Sequence, residues 1–131
     1  MSYKINRYQF KNGTKVFHVE FDNQWQMNKT FCRFSEFSES PTLKNTVFSV
    51  NDILTLVPDY FEIVMGHNIP GTEYVRFLNE YEFFTPEELI LTADLHATGD
   101  GEDFCIIATC AQHEALIHEM AHALYDLVPK Y

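Results

Sequence analysis

Apolar and polar residues alternate at the start of the chain. Ile5 to Phe10 and Lys15 to Phe21 flank "KNGT", and Asn12-Gly13 is a strong turn signal, so the spacing predicts a β-hairpin. In its second strand Phe17, Val19 and Phe21 point one way, and Val16, His18 and Glu20 point the other. From Asp22 to Asn45 the period is less clear. Phe31, Phe34 and Phe37 recur every three residues, while Ser38-Glu39-Ser40-Pro41 reads as a loop. A short helix or turn is expected in "SVNDILTLV", with Asn51 as its N-cap and Pro58 as its stop. Tyr60 to Met65 reads as a strand that enters a turn through His67-Asn68, closed by Pro70-Gly71.

The second half has sharper signals. "TEYVRFLNEYEFF" predicts a helix from Thr72. "TPEELILTADLHA" predicts another, with Thr85 as N-cap, Pro86 in the first helical position, and Glu87 and Glu88 opposing the helix dipole. "TGDGED" is a turn without the spacing of a calcium loop. "FCIIATC", Phe104 to Cys110, is short, apolar and β-branched, the pattern of a buried strand. A last helix follows directly. The expected class is α+β, with a β-rich N-terminal half and then helix, strand and helix. Residues 1–131 contain no repeat or linker long enough to split them, so a single domain is expected.

Winding Ala111 to Val128 at 3.6 residues per turn separates two faces. Leu116, Ile117, Met120, Ala121, Ala123, Leu124, Leu127 and Val128 gather on one side. His118, His122, Tyr125 and Asp126 gather on the other, with Glu114 close by and Glu119 at the margin. Histidines four residues apart lie one turn apart on the same face, so both imidazoles can reach one metal ion. A glutamate directly after the first histidine then flanks the metal, where it can move protons as a general base. Glu114 could orient a histidine, Tyr125 could donate to a substrate oxyanion, and His113 falls on the apolar side.

"HEMAHALY", His118 to Tyr125, resembles the active-site helix of the zincin metallopeptidases. The resemblance implies a zinc cofactor, with His118 and His122 as ligands and Glu119 as general base. It also implies an edge strand beside the helix that positions peptide substrate, for which "FCIIATC" is the candidate. The resemblance covers this strand and helix alone. Leu124 and Val128 stand where the metzincin extension needs Gly and His, which excludes that subclass. A catalytic zinc usually takes three protein ligands plus water. The third could come from upstream, where His18, His67, His96, Glu102 and Asp103 are candidates, or from Asp126, or could be missing in a degenerate site.

Charge narrows the partners. The 131 residues include 19 acidic and 9 basic ones, a formal net charge of -10. Such a surface repels nucleic acid and acidic lipid and leaves room for basic peptides or proteins. No stretch has the length and apolarity of a membrane span, and the N-terminus has no signal-peptide core. The 3 cysteines form no metal-knuckle pair, and their odd number speaks against a disulfide framework. A soluble, cytoplasmic protein is expected. Two functions are compatible with these features. One is a zinc-dependent hydrolase, a peptidase acting on a peptide or protein substrate. The other is a non-enzymatic acidic binding module, a degenerate zincin or a nucleic-acid mimic, that engages a basic protein.

Overall fold

A computed structural model describes residues 3–40, 42–44, 46–97 and 101–110. The predicted hairpin is present: β1 (Tyr3–Gln9) and β2 (Lys15–Phe21) pair antiparallel, with Ile5 opposite Val19 and Arg7 opposite Phe17. Gly13 turns the chain at a φ of 90°, a conformation that favours glycine. The helices α1 (Gln24–Glu39), α2 (Val50–Leu56) and α3 (Tyr60–Ile63) come next, before β3 (Gly66–Pro70). Then follow α4 (Gly71–Glu80), α5 (Pro86–Leu95) and β4 (Phe104–Cys110). The fold is α+β, with a mixed four-stranded sheet in the order β1-β2-β4-β3. β2 and β4 are parallel, and β3 runs antiparallel to β4. None of the helices among the described residues is long and apolar enough to cross a membrane.

α1 is the axis of the packing. Asn23 caps it by accepting from the Gln26 N–H at 3.0 Å. The recurrence of Phe31, Phe34 and Phe37 belongs to this helix, and all three rings are buried. Met27, Asn28, Thr30, Cys32, Arg33 and Ser35 are buried as well, so α1 is covered on most sides rather than lying amphipathic on the surface. Its neighbours are the sheet, α2, α3, α4 and α5. Phe17, Val19 and Phe21 of β2, Ile69 of β3, and Phe104, Ile106 and Ala108 of β4 form one apolar cluster with the α1 phenylalanines. Every residue of β4 is buried. Its alternate residues Cys105 and Ile107 join Val16 in a second cluster on the opposite face, with Phe10 against it.

Several sequence expectations need correction. The first half is not β-rich beyond the hairpin, because three of its elements are helices. The serine-rich stretch is not a loop throughout: α1 runs through Ser38 to Glu39, and the Ser40 N–H still bonds the Glu36 carbonyl at 3.0 Å. α2 is capped by Ser49, not Asn51, in a reciprocal box in which Asp52 N–H donates to Ser49 Oγ and Ser49 N–H to Asp52 Oδ2. α4 begins at Gly71, one residue before Thr72.

The largest shift concerns Tyr60 to Met65. Tyr60–Ile63 is a helix, and the strand starts at Gly66, so His67 lies in the sheet and not in a turn. The reason is tertiary. Asn28 Nδ2 donates to the carbonyls of Phe61 at 3.0 Å and Val64 at 2.9 Å, and reaches that of Tyr60 at 3.5 Å. One turn earlier, Gln24 Nε2 donates to the carbonyls of Glu62 and Val64 at 3.0 and 2.9 Å. A four-residue helix is too short to be stable by itself. Here its orphan carbonyls are satisfied by a neighbouring helix.

β4 is also not the edge strand that the zincin resemblance implies, since β2 and β3 pair with its two sides. Among the described residues, the outer positions of this sheet belong to β1 and β3. β3 tolerates Pro70 because an edge strand has a side with no ladder bonds to lose.

Replacing Asn28 with Leu strips the buried carbonyls of their donor, and each unsatisfied buried group costs about 1–3 kcal/mol. Asn28→Leu is therefore expected to lower stability by roughly 3 kcal/mol or more, while Gln24→Ala, at a half-buried position, loses about 1 kcal/mol or less. Urea unfolding midpoints of the two variants measure the difference.

Candidate functional site

His118, Glu119, His122 and Asp126 lie outside the described residues, as do His113, Glu114 and Tyr125. The upstream candidates for a third ligand can be placed. His67 sits on β3, 3% exposed, with its ring stacked on Phe31 at 5.7 Å and tilted against Tyr60 at 6.4 Å. The Asn28 amide donates to carbonyls, so its Oδ1 is an acceptor, and His67 Nε2–H donates to it at 2.8 Å. Nδ1 is then the acceptor, and Ser35 O–H donates to it at 2.5 Å. Both nitrogens are engaged. Burial pushes the His67 pKa down to about 3, so the ring is neutral at any ordinary pH.

Ser35, His67 and Asn28 thus stand in the order of a nucleophile, a base and an orienting group. That chemistry needs a reachable hydroxyl and a base that accepts protons near neutrality. Ser35 is buried, and His67 takes up a second proton only at strongly acid pH. The triad is a structural link between α1 and β3.

His18 lies on the other face of the sheet. The register places it opposite Ile107, and its Nε2 lies 2.8 Å from Thr109 Oγ1. Nδ1 has a longer contact, 3.4 Å from Asn6 Nδ2, and is less committed than either nitrogen of His67. Burial pushes the His18 pKa down, opposed by the charge of Glu20. His96 caps α5 in the left-handed conformation at a φ of 50° and is exposed. Glu102 and Asp103 are exposed at the start of β4, and the Asp103 carbonyl accepts from the Lys15 N–H at 2.8 Å. That is the far end of β4 from Cys110, about 23 Å away at roughly 3.3 Å per residue. Among the described residues no three His, Cys, Asp or Glu side chains are grouped closely enough to hold a metal ion.

A second constellation was not foreseen. Arg33, in the middle of the phenylalanine-rich helix, is buried and lies 3.5 Å through Nε from Oε2 of the fully buried Glu88. Its guanidinium is over the rings of Tyr81 at 4.7 Å and Phe77 at 5.3 Å, and Nη2 donates to the Phe83 carbonyl at 3.2 Å. Glu88 serves α5 as well. Thr85 N–H donates to Glu88 Oε1, and Glu88 N–H donates to Thr85 Oγ1, closing the capping box. Burial raises the Glu88 pKa, against the Thr85 N–H and the Arg33 charge, which lower it. The only sequence signal for this pair was an arginine among phenylalanines, next to Glu88 in an otherwise ordinary first turn.

Arg33 also closes one side of a cavity of about 520 Å³ between the start of α2 and the α4–α5 connection. Phe48 and Tyr81 form its apolar wall, and Val47 and Phe83 stand at its mouth. The carboxylates of Asp52, Glu80 and Glu82 line it too. Tyr81 is fixed there by its hydroxyl, which donates to the Thr46 carbonyl at 2.5 Å and accepts from Phe48 N–H at 3.2 Å.

His67 makes stability depend on pH. Its pKa is about 3 in the fold against an ordinary 6.5, so on acidification the unfolded chain takes up the proton first. Stability is complete above about pH 6.5 and falls toward pH 3, by up to about 1.4 kcal/mol per pH unit from this group. In His67→Gln the denaturant midpoint is expected to be lower at neutral pH but to decline less steeply between pH 6.5 and 4.5.

Beside these geometric observations, comparison with known proteins finds no matching family model, curated protein or solved structure.

Proposed function

We propose that the chain is a zinc-dependent hydrolase of the zincin type, a peptidase that holds its metal through His118 and His122. The observation that carries this reading is the spacing His118-Glu119-Met120-Ala121-His122, which, wound as a helix, would bring His118 and His122 to one face with Glu119 at its margin. Two imidazoles and a neighbouring carboxylate are donors that suit zinc. Zinc, when bound, supplies Lewis acidity that polarises a peptide carbonyl. Glu119 takes the proton from the attacking water and returns it to the leaving amine. An upstream third ligand would be one other than His67, which is sealed in the core with both nitrogens engaged. The strand that meets peptide substrate would be another than β4, whose two sides are already paired. A cytoplasmic location accords with three buried cysteines, Cys32, Cys105 and Cys110, that form no disulfide.

A second reading, an acidic module that binds a basic protein, is favoured by one observation. Three carboxylates line a cavity with exposed apolar side chains at its mouth, in a chain of formal charge -10. The two readings separate on metal and on Glu119.

Elemental analysis of untagged protein purified without chelator is expected to find about one zinc per chain, and His118→Ala to lose it. Glu119→Gln is expected to keep the metal and abolish hydrolysis of peptide substrates. No zinc in the wild type, even with zinc offered near neutral pH, overturns the hydrolase reading. Zinc retained without any hydrolysis by the wild type points to the binding module.

A further inference from the structure

The cavity beside Arg33 has features that the packing of the core does not need. Val47 and Phe83 at its mouth are 80% and 82% exposed, the two most exposed large apolar side chains among the described residues. Phe83 lies between Glu82, which is exposed, and the buried network of Arg33 and Glu88. Asp52 and Glu80 add negative charge, and Arg33 is the single basic residue in the lining. The charge of Arg33 is matched by Glu88 and that of Glu80 by Arg76 at 3.7 Å, so Asp52 and Glu82 give the cavity its net negative field. A second observation is independent of that charge: Phe48 and Tyr81, both 5% exposed, give the cavity an apolar wall behind the exposed rim.

We infer that this cavity binds a short peptide segment in which an arginine or lysine adjoins a large apolar residue. The apolar residue fills the wall of Phe48 and Tyr81. The cation lies against the open face of the Phe83 ring and within reach of Glu82, pairing cation–π attraction with a carboxylate. The aliphatic stem of the lysine or arginine covers Val47 while its charged head stays at the acid rim. Nothing in this requires a metal, so the site stands or falls apart from the zinc reading.

The test is fluorescence anisotropy with a fluorescein-labelled peptide, Leu-Arg-Phe-Arg with blocked ends, against the full chain. Its acidic counterpart, Leu-Glu-Phe-Glu, serves as control. Saturable binding of the basic peptide alone is expected. Phe83→Ala and Glu82→Lys are each expected to weaken it about tenfold, as loss of an exposed cation–π contact or reversal of a close charge would. Both positions are exposed, so these variants leave the core intact. Asp22→Lys, an equal charge change outside the cavity lining, is expected to leave the affinity within about twofold. Absence of saturable binding overturns the proposal. So does equal weakening by Asp22→Lys and Glu82→Lys, which would mean attraction by overall charge and no site.

Discussion

The Asn28 amide holds three parts of the molecule in one place. It caps the carbonyl end of α3, accepts from His67 on β3, and does both from the middle of α1. A buried amide with four polar groups to satisfy tolerates few arrangements, because each unmet group would face an apolar interior. Ser35 extends the chain of bonds by donating to the other nitrogen of His67. The result is a polar thread through a core built largely of phenylalanine. It positions β3 in register with β4, and β4 in turn pairs with β2. Apolar packing alone is non-directional and would leave that register free to slide.

Buried charge is handled by the same helix. Arg33 meets Glu88 in a site where water cannot screen them, and each is held by more than the other. Glu88 is bound by the Thr85 N–H, and Arg33 by the Phe83 carbonyl and two aromatic rings. Burial of such a pair is rarely a net gain over apolar packing, but removing one partner strands the other at a cost of about 3–5 kcal/mol. The pair therefore specifies how α5 and the α4–α5 connection dock on α1. In doing so it shapes the cavity where Phe83 and Val47 remain in water. The residues that dock α5 on α1 thus also line the cavity.

The catalytic hypothesis is independent of this region. It lives in the spacing of His118, Glu119 and His122, and the described part of the fold bears on it through two facts: β4 is an inner strand, and His67 is closed to a metal.

Local signals were legible wherever one short stretch decided the outcome. Asn12-Gly13 made the hairpin readable, since few residues adopt its turn. Thr85-Pro86 marked α5 because a cap and a proline act within one turn. The apolar run from Phe104 to Cys110 could be read as a buried strand because both its faces are covered. The spacing at His118 is a local pattern of the same kind, and it lies outside the described residues. Tertiary structure decided what depends on distant partners. Tyr60–Ile63 is helical because Asn28 and Gln24 satisfy its carbonyls from more than 30 residues away. His67 was a ligand candidate by residue type and became a neutral core side chain once Phe31, Ser35 and Asn28 surrounded it. Arg33 and Glu88 are 55 positions apart, and no periodicity links them. Local propensity acts within a turn or two of chain, whereas desolvation and hydrogen-bond satisfaction act between whatever groups the fold encloses together.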